Sequence, residues 1–200
     1  DDEAKKRGGI YEMHALAVKL FREMLFSPAG EDAREYLKKR GLSKATAEEF
    51  DLGLSERSGQ TLARVFEKQG FAPDDMEASG LVLRRNDGTG FFDRFRGRLM
   101  FPIHSESGKV IAFGGRALAE GDEPKYLNSS ETSIYRKSHV LYNLNRARKP
   151  VQAAGFSILV EGYMDVIGVY AAGIHNVVAT CGTSLTNFQA RSLRRHASEL

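Results

Sequence analysis

A single cysteine, Cys181, stands in 200 residues. One cysteine excludes an internal disulfide and a cysteine-based zinc ribbon, so a reducing, cytoplasmic compartment is the simplest fit. No stretch approaches the ~18 uninterrupted apolar residues of a membrane span, and the acidic start Asp1-Asp2-Glu3 is unlike a signal peptide. No membrane partner is expected. The five histidines (His14, His104, His139, His175 and His196) have no metal-ligand spacing, and no Ser/His/Asp arrangement can be argued. Internal repeats and low-complexity tracts are missing. What is present is ordinary globular material: 42% apolar, 28% charged and 10% aromatic residues, with a net charge of only +3. That balance excludes a disordered chain and allows one domain or two small ones.

The modest net charge hides an asymmetry. Between Arg84 and Lys149 there are 13 Lys/Arg against 7 Asp/Glu, a local +6, while the rest of the chain has 16 against 19. A local basic excess suits a surface that faces a polyanion. It also suits a solvated face that binds nothing, and charge alone does not separate the two.

Three textures follow one another. The first 80 residues predict helices: 11–25, with Leu16, Leu20 and Met24 on one stripe beside Ala17 and Phe21; 31–40; one N-capped by Ser43; 61–69, stopped by Gly70; and a short one opened by Pro73. From Leu81 the pattern turns to strands. Leu81 to Arg85 and Gly90-Phe91-Phe92 flank the Asn86-Asp87-Gly88 turn, and 98–103 and 109–113 flank Ser105-Glu106-Ser107-Gly108, so a small antiparallel sheet is expected. Residues 118–137 predict an ordered loop, and 140–149 a helix ended by Pro150. Residues 157–160 and 177–179 are apolar runs expected as buried parallel strands, within a right-handed βαβα unit.

Four clusters could carry chemistry. Glu161 directly follows an apolar strand and Asp165 lies in the first turn of the next helix, so both carboxylates can reach one point, as a Mg²⁺ site requires. The alternative makes Asp165 a helix N-terminal charge and Glu161 a turn residue. Arg94, Arg96 and Arg98 alternate with Phe95 and Gly97, so an extended strand would point all three at one phosphate backbone; a solvated face is the other reading. Gly114-Gly115-Arg116 offers a backbone pair able to approach a ligand closely. Lys125, Tyr126 and Asn128, followed by Arg136-Lys137, add polar groups in the predicted loop. Cys181 ends an apolar strand and reads as a packed small hydrophobe.

In this order the pieces resemble the RNA-polymerase core of bacterial DnaG-type primases. The resemblance rests on Tyr36-Leu37-x-x-Arg40-Gly41-Leu42-Ser43, Phe92-Asp93-Arg94-Phe95-Arg96-x-Arg98-Leu99-Met100-Phe101-Pro102-Ile103 and Phe113-Gly114-Gly115-Arg116. It continues in Pro124-Lys125-Tyr126-Leu127-Asn128-Ser129, Leu141-Tyr142-x-Leu144, Val160-Glu161-Gly162-Tyr163-Met164-Asp165-Val166 and Gly182-Thr183-Ser184-Leu185-Thr186. The implied fold class is α+β: a helical and small antiparallel-sheet N-terminal subdomain (1–80 and 81–153) followed by the first half of an α/β TOPRIM fold (154–200).

The resemblance also implies a function: synthesis of short RNA primers on a single-stranded DNA template from ribonucleoside triphosphates at the replication fork. Glu161 and Asp165 would be the catalytic, metal-holding carboxylates for Mg²⁺ or Mn²⁺. Arg40, Arg116, Lys125, Tyr126 and Lys137 would line the path of template or nucleotide phosphates, with Arg94, Arg96, Arg98 and Asn128 beside them. The family's Asp-x-Asp pair, its zinc-binding domain and its helicase-binding domain are not found in these 200 residues. The expectation is therefore a primase fragment, inactive alone and meeting the replicative helicase only through a further domain. A non-catalytic single-stranded nucleic-acid-binding module is the alternative. A TOPRIM nuclease or topoisomerase relative is less apt, because the 92–129 motifs would have no reason to be there.

Overall fold

The structure is a computed structural model and describes residues 2–197. It opens with α1 (Asp2–Leu25), whose buried face is Ile10, Met13, His14, Ala17, Phe21 and Leu25. This corrects the expected helix in two ways. It starts nine residues earlier, and Leu16, Leu20 and Met24 lie at its half-buried margin. The rotation has a local cause, because β1 (Gly53–Leu54) lies against the helix. A Cβ at Gly53 would stand 2.4 Å from the Cβ of Phe21, so the missing side chain lets the strand lie on the helix there.

Short helices follow at the expected places. These are α2 (Glu31–Lys39), α3 (Lys44–Glu49), α4 (Thr61–Gln69) and α5 (Pro73–Ala78). Ser43 Oγ accepts the Thr46 N–H at 3.1 Å, and Gly70 closes α4 at φ 79°, a left-handed conformation that glycine adopts cheaply. The start of α4 is capped from a distance. Buried Asp93 accepts from the N–H groups of Leu62 and Ala63 at 3.0 and 2.9 Å, satisfying donors that the helix leaves open.

Two sheets form the middle of the chain. The β2 (Val82–Arg84) and β3 (Phe91–Asp93) hairpin stands as its own ribbon, while β4 (Arg98–His104) and β5 (Val110–Ala117) join β1 and β6 (Tyr126–Asn128) in the antiparallel order β1-β4-β5-β6. The predicted 118–137 loop thus contains an edge strand, pairing Gly114 with Asn128 and Arg116 with Tyr126. Both faces of β4 are covered. Leu99, Phe101 and Ile103 enter a core with Tyr142, Tyr163, Val166 and Ala179, whereas Met100 joins Phe113, Phe21 and Phe66 under α1 and α4.

The last third corrects the sequence reading most. Residues Leu141–Tyr142 form β7, and α6 (Leu144–Ala154) runs through Pro150 to Gly155. Proline removes one helical hydrogen bond, but fully buried Ala147 and Val151 pack with Val178 and Leu193 and hold the helix across it. β8 (Ile158–Val160), α7 (Tyr163–Ala171), β9 (Val177–Thr180) and α8 (Asn187–Arg194) complete the βαβα unit. Sheet order is β7-β9-β8, with β8 parallel and β7 antiparallel to β9. β9 is buried as expected, but among the described residues β8 has a neighbour on one side only, and Leu159 is 41% exposed. Among the described residues, no helix is long and apolar enough to cross a membrane.

The Gly114-Gly115 pair is not open to a ligand. A Cβ on Gly114 would stand 2.4 Å from the ring of Tyr163, and one on Gly115 would stand 3.0 Å from Phe95. The Tyr163 ring cannot retreat, because it stacks on Phe101 at 5.3 Å and meets Tyr142 edge-on at 4.8 Å. Gly114→Ala is expected to cost about 2 kcal/mol through overpacking. Urea unfolding should show it as a lowered midpoint, and an unchanged midpoint would mean that the ring has room to move.

Candidate nucleic-acid interface and metal site

The expected arginine comb forms, but not as one solvent-facing row. Residues 94–97 lie between β3 and β4, and Arg94, Arg96 and Arg98 line one cavity of about 380 Å³ together with Arg57, Asp122, Glu123, Pro124 and Leu127. Arg98 is buried and donates to the carbonyls of Pro124 at 2.7 Å and Gly115 at 3.3 Å. Its first task is to hold the edge of the sheet. Arg94 is half-buried and donates from Nη2 to the Asn128 carbonyl at 2.8 Å, while its Nε is buried without a partner among the described residues. Burial lowers the pKa of both guanidinium groups. Arg96 is exposed, with its guanidinium 5.9 Å from the centre of the Phe92 ring.

Arg57 has no signal in the sequence. It lies among Ser and Gly residues with no periodicity to mark it, and its partner is 65 positions away: its fork donates to both carboxylate oxygens of Asp122, at 3.0 and 3.2 Å. Tyr36, which opens one of the motifs above but has no binding role assigned there, belongs to the same kind of arrangement. Arg40 lies 5.3 Å and Arg116 4.6 Å from the centre of its ring, and Arg116 is also 5.9 Å from that of Tyr126. Two cations and two aromatic rings thus form one ladder, a platform suited to bases and phosphates together. Burial raises the Tyr126 hydroxyl above its ordinary pKa, opposed by the charges of Arg116 and Arg40. Lys125, exposed beside Tyr126, extends the ladder into solvent. Lys137 stands elsewhere, near Cys181 at the end of β9, and its carbonyl accepts from Gln189 at 3.0 Å.

The carboxylates are open. Glu161 and Asp165 are both exposed, at the end of β8 and in the first turn of α7. Asp165 Oδ2 accepts the Gly162 N–H at 3.2 Å, so it does cap α7, as the plainer reading of that residue expects. Its second oxygen and the whole Glu161 carboxylate are available to a hard cation. Two anionic oxygens beside open solvent fit Mg²⁺ or Mn²⁺, which would fill the remaining positions with water and phosphate oxygens. No group of three or more His, Cys, Asp or Glu side chains that could hold a metal occurs among the described residues.

Asn128 links Arg94 to the start of α7. Its backbone carbonyl is held by Arg94, and its side-chain oxygen accepts from the Tyr163 hydroxyl at 2.7 Å, two residues from Glu161. A Cβ at Gly182 would lie 2.7 Å from Asn128 Nδ2, so the loop after β9 also closes on this residue. Cys181 beside it is fully buried, and burial pushes its thiol up to about 11, which suits a packed hydrophobe rather than a nucleophile.

Known proteins give this arrangement a family. Residues 20–148 match the DNA primase catalytic core, N-terminal domain, and residues 155–200 match the Toprim domain. The DNA primase of Synechococcus elongatus is 41% identical over 197 residues, covering 98% of this chain and 28% of that protein. The DNA primase of Geobacillus stearothermophilus is 41% identical over 194 residues, covering 96% of this chain and 32% of that protein. The chain therefore spans about a third of the length of these relatives. Among solved structures, a DnaG primase catalytic domain bound to ssDNA superposes with a TM-score of 0.90 at 35% identity, covering 98% of this chain and 63% of that one. The RNA polymerase domain of Mycobacterium tuberculosis primase DnaG in complex with double-stranded DNA gives 0.90 at 32% identity, covering 96% and 61%. Matched by both family models and by relatives about 40% identical along nearly its whole length, the chain belongs to the bacterial DnaG-type primase catalytic core family, its N-terminal domain leading into a Toprim fold.

Proposed function

We propose that this chain is the template-gripping and metal-holding part of a DNA primase, a DNA-directed RNA polymerase that makes short RNA primers on single-stranded DNA by metal-dependent nucleotidyl transfer. The observation that supports the proposal is that Asn128 ties Arg94, which lines the arginine cavity, to Tyr163, which opens α7 between Glu161 and Asp165 in the chain. In this reading Glu161 and Asp165 hold Mg²⁺ or Mn²⁺, which when bound neutralises charge developing on the phosphoryl oxygens. Arg94 and Arg96 bind template phosphates. The ladder of Arg40, Tyr36, Arg116 and Tyr126, with Lys125 at its edge, orients bases and nucleotide phosphates. Lys137, near the end of β9, steers phosphates by charge.

Two carboxylates alone make a weak metal site, so the chain by itself is read as a template binder that makes no primer. Charge reversal at Arg96, alone and with Arg94, tests the basic side. Fluorescence anisotropy with an oligo-dT strand should show salt-sensitive binding by the wild-type chain. The Arg94→Glu/Arg96→Glu variant should bind at least about tenfold more weakly at low salt, with a log–log salt slope smaller by roughly 1.4. Unchanged affinity would remove this pair from the template surface, and primer made by the chain with Mg²⁺ and nucleotides would remove the claim of inactivity.

A further inference from the structure

The four cavity arginines are not equally available. Arg98 is buried and committed to two backbone carbonyls, and Arg94 holds the Asn128 carbonyl. Arg96 is open to solvent. Arg57 is open too, with 66% of its side chain exposed, but its fork is already filled by the Asp122 carboxylate. The filling group matters chemically. A carboxylate taken by both arms of a guanidinium occupies the same donor geometry that a phosphate would. Asp122 lies on the connection between β5 and β6, in the wall of the arginine cavity and next to Glu123. The cavity therefore carries its own anions in its lining.

We propose that Arg57 is a further phosphate-binding residue of the template track, and that Asp122 is a built-in competitor which a backbone phosphate displaces from it. This rests on the cavity being a template surface. The exchange is cheap, because an exposed ion pair is only weakly held and swapping one oxyanion for another leaves the guanidinium satisfied. Its direction is set by charge and number: a phosphate strand brings contacts to Arg96 and Arg94 as well, whereas Asp122 brings only itself. The carboxylate, once released, stands in the field of the strand and repels it. Asp122 thus lowers affinity for any short or weakly held anion and yields only to one that engages several arginines together. The device would disfavour mononucleotides and free phosphate in this cavity, and favour continuous strands.

The full chain and an oligo-dT strand, followed by anisotropy between about 50 and 200 mM salt, decide the matter. Asp122→Asn is expected to raise affinity about three- to tenfold at low salt. Arg57→Ala should lower the log–log salt slope by about 0.7, the share of one phosphate contact. The decisive measurement is the combination: in the Arg57→Ala background, Asp122→Asn should give less than about half of its gain, expressed as free energy. An equal gain in both backgrounds would overturn the proposal, since the carboxylate would then act through the general field rather than through Arg57. So would an unchanged slope in Arg57→Ala. Arg96→Glu, measured alongside, separates the two readings. If it weakens binding while the Asp122→Asn gain survives loss of Arg57, the competitor falls and the template surface stands; if it changes nothing, the template surface itself falls.

Discussion

Replacing Glu161 by glutamine in a primase that carries this segment is expected to lower primer synthesis at least about a hundredfold, a loss of roughly 2.7 kcal/mol of transition-state stabilisation. The fold should hardly notice. Glu161 is exposed at the end of β8, and surface changes of this kind usually stay within about 0.5 kcal/mol. Glutamine keeps the size and one oxygen but removes the charge that a hard divalent cation needs. Asp165→Asn is a less clean probe, because Asp165 also accepts the Gly162 N–H and sits at the positive end of α7. That variant should lose about 0.5–1 kcal/mol of stability as well as synthesis. Retained synthesis by Glu161→Gln, with template binding intact, would mean that this carboxylate neither holds metal nor takes part in the chemistry.

The second large effect is on stability in acid. His14 is fully buried on α1, its Nδ1 2.8 Å from the Ile10 carbonyl and its ring stacked on Phe113 at 5.8 Å. The other nitrogen, Nε2, is buried without a partner among the described residues. Burial lowers the imidazole pKa to about 4. The folded state therefore resists a proton that the unfolded chain accepts near pH 6.5. Its contribution is intact above about pH 6.5 and is lost as pH falls from there towards 4, by up to roughly 3 kcal/mol. Urea midpoints at about pH 7 and pH 4.5 test this, with His14→Leu as the reference. Asp93 works the other way: burial holds its carboxyl above the usual range, so it gains stability as pH falls. The difference between wild type and His14→Leu is accordingly the readout. Parallel pH profiles would mean that His14 takes up its proton without cost.

Much of this architecture could be read from residues alone, and the failures share a cause. Ser43, Gly70, Pro73 and the Asn86-Asp87-Gly88 turn act locally, through a cap, a left-handed φ, a fixed φ and a hairpin, so their spacing alone placed the elements. β1, β6 and β7 are two or three residues long and exist because a distant strand pairs with them, which no local period reports. Pro150 reads as a stop because its rule is local, while the packing of Val151 that overrides it is not. The same division runs through the site. The run from Arg94 to Arg98 and the Glu161/Asp165 spacing are visible as patterns. The pairing of Arg57 with Asp122, the aromatic ladder through Tyr36 and the tyrosine filling the space at Gly114 are long-range meetings.

Asn128 has a consequence that is thermodynamic rather than geometric. One residue is gripped by Arg94 through its backbone and by Tyr163 through its amide, so the proposed template surface and the proposed cation site at the start of α7 are linked through it. Whatever free energy an occupied cavity lends to cation affinity at the start of α7, an occupied cation site must lend back to the template, by the same factor. Asn128→Ala keeps the carbonyl that Arg94 holds and removes only the bond to Tyr163, so any coupling carried by that link should weaken while the proposed template surface keeps its own affinity.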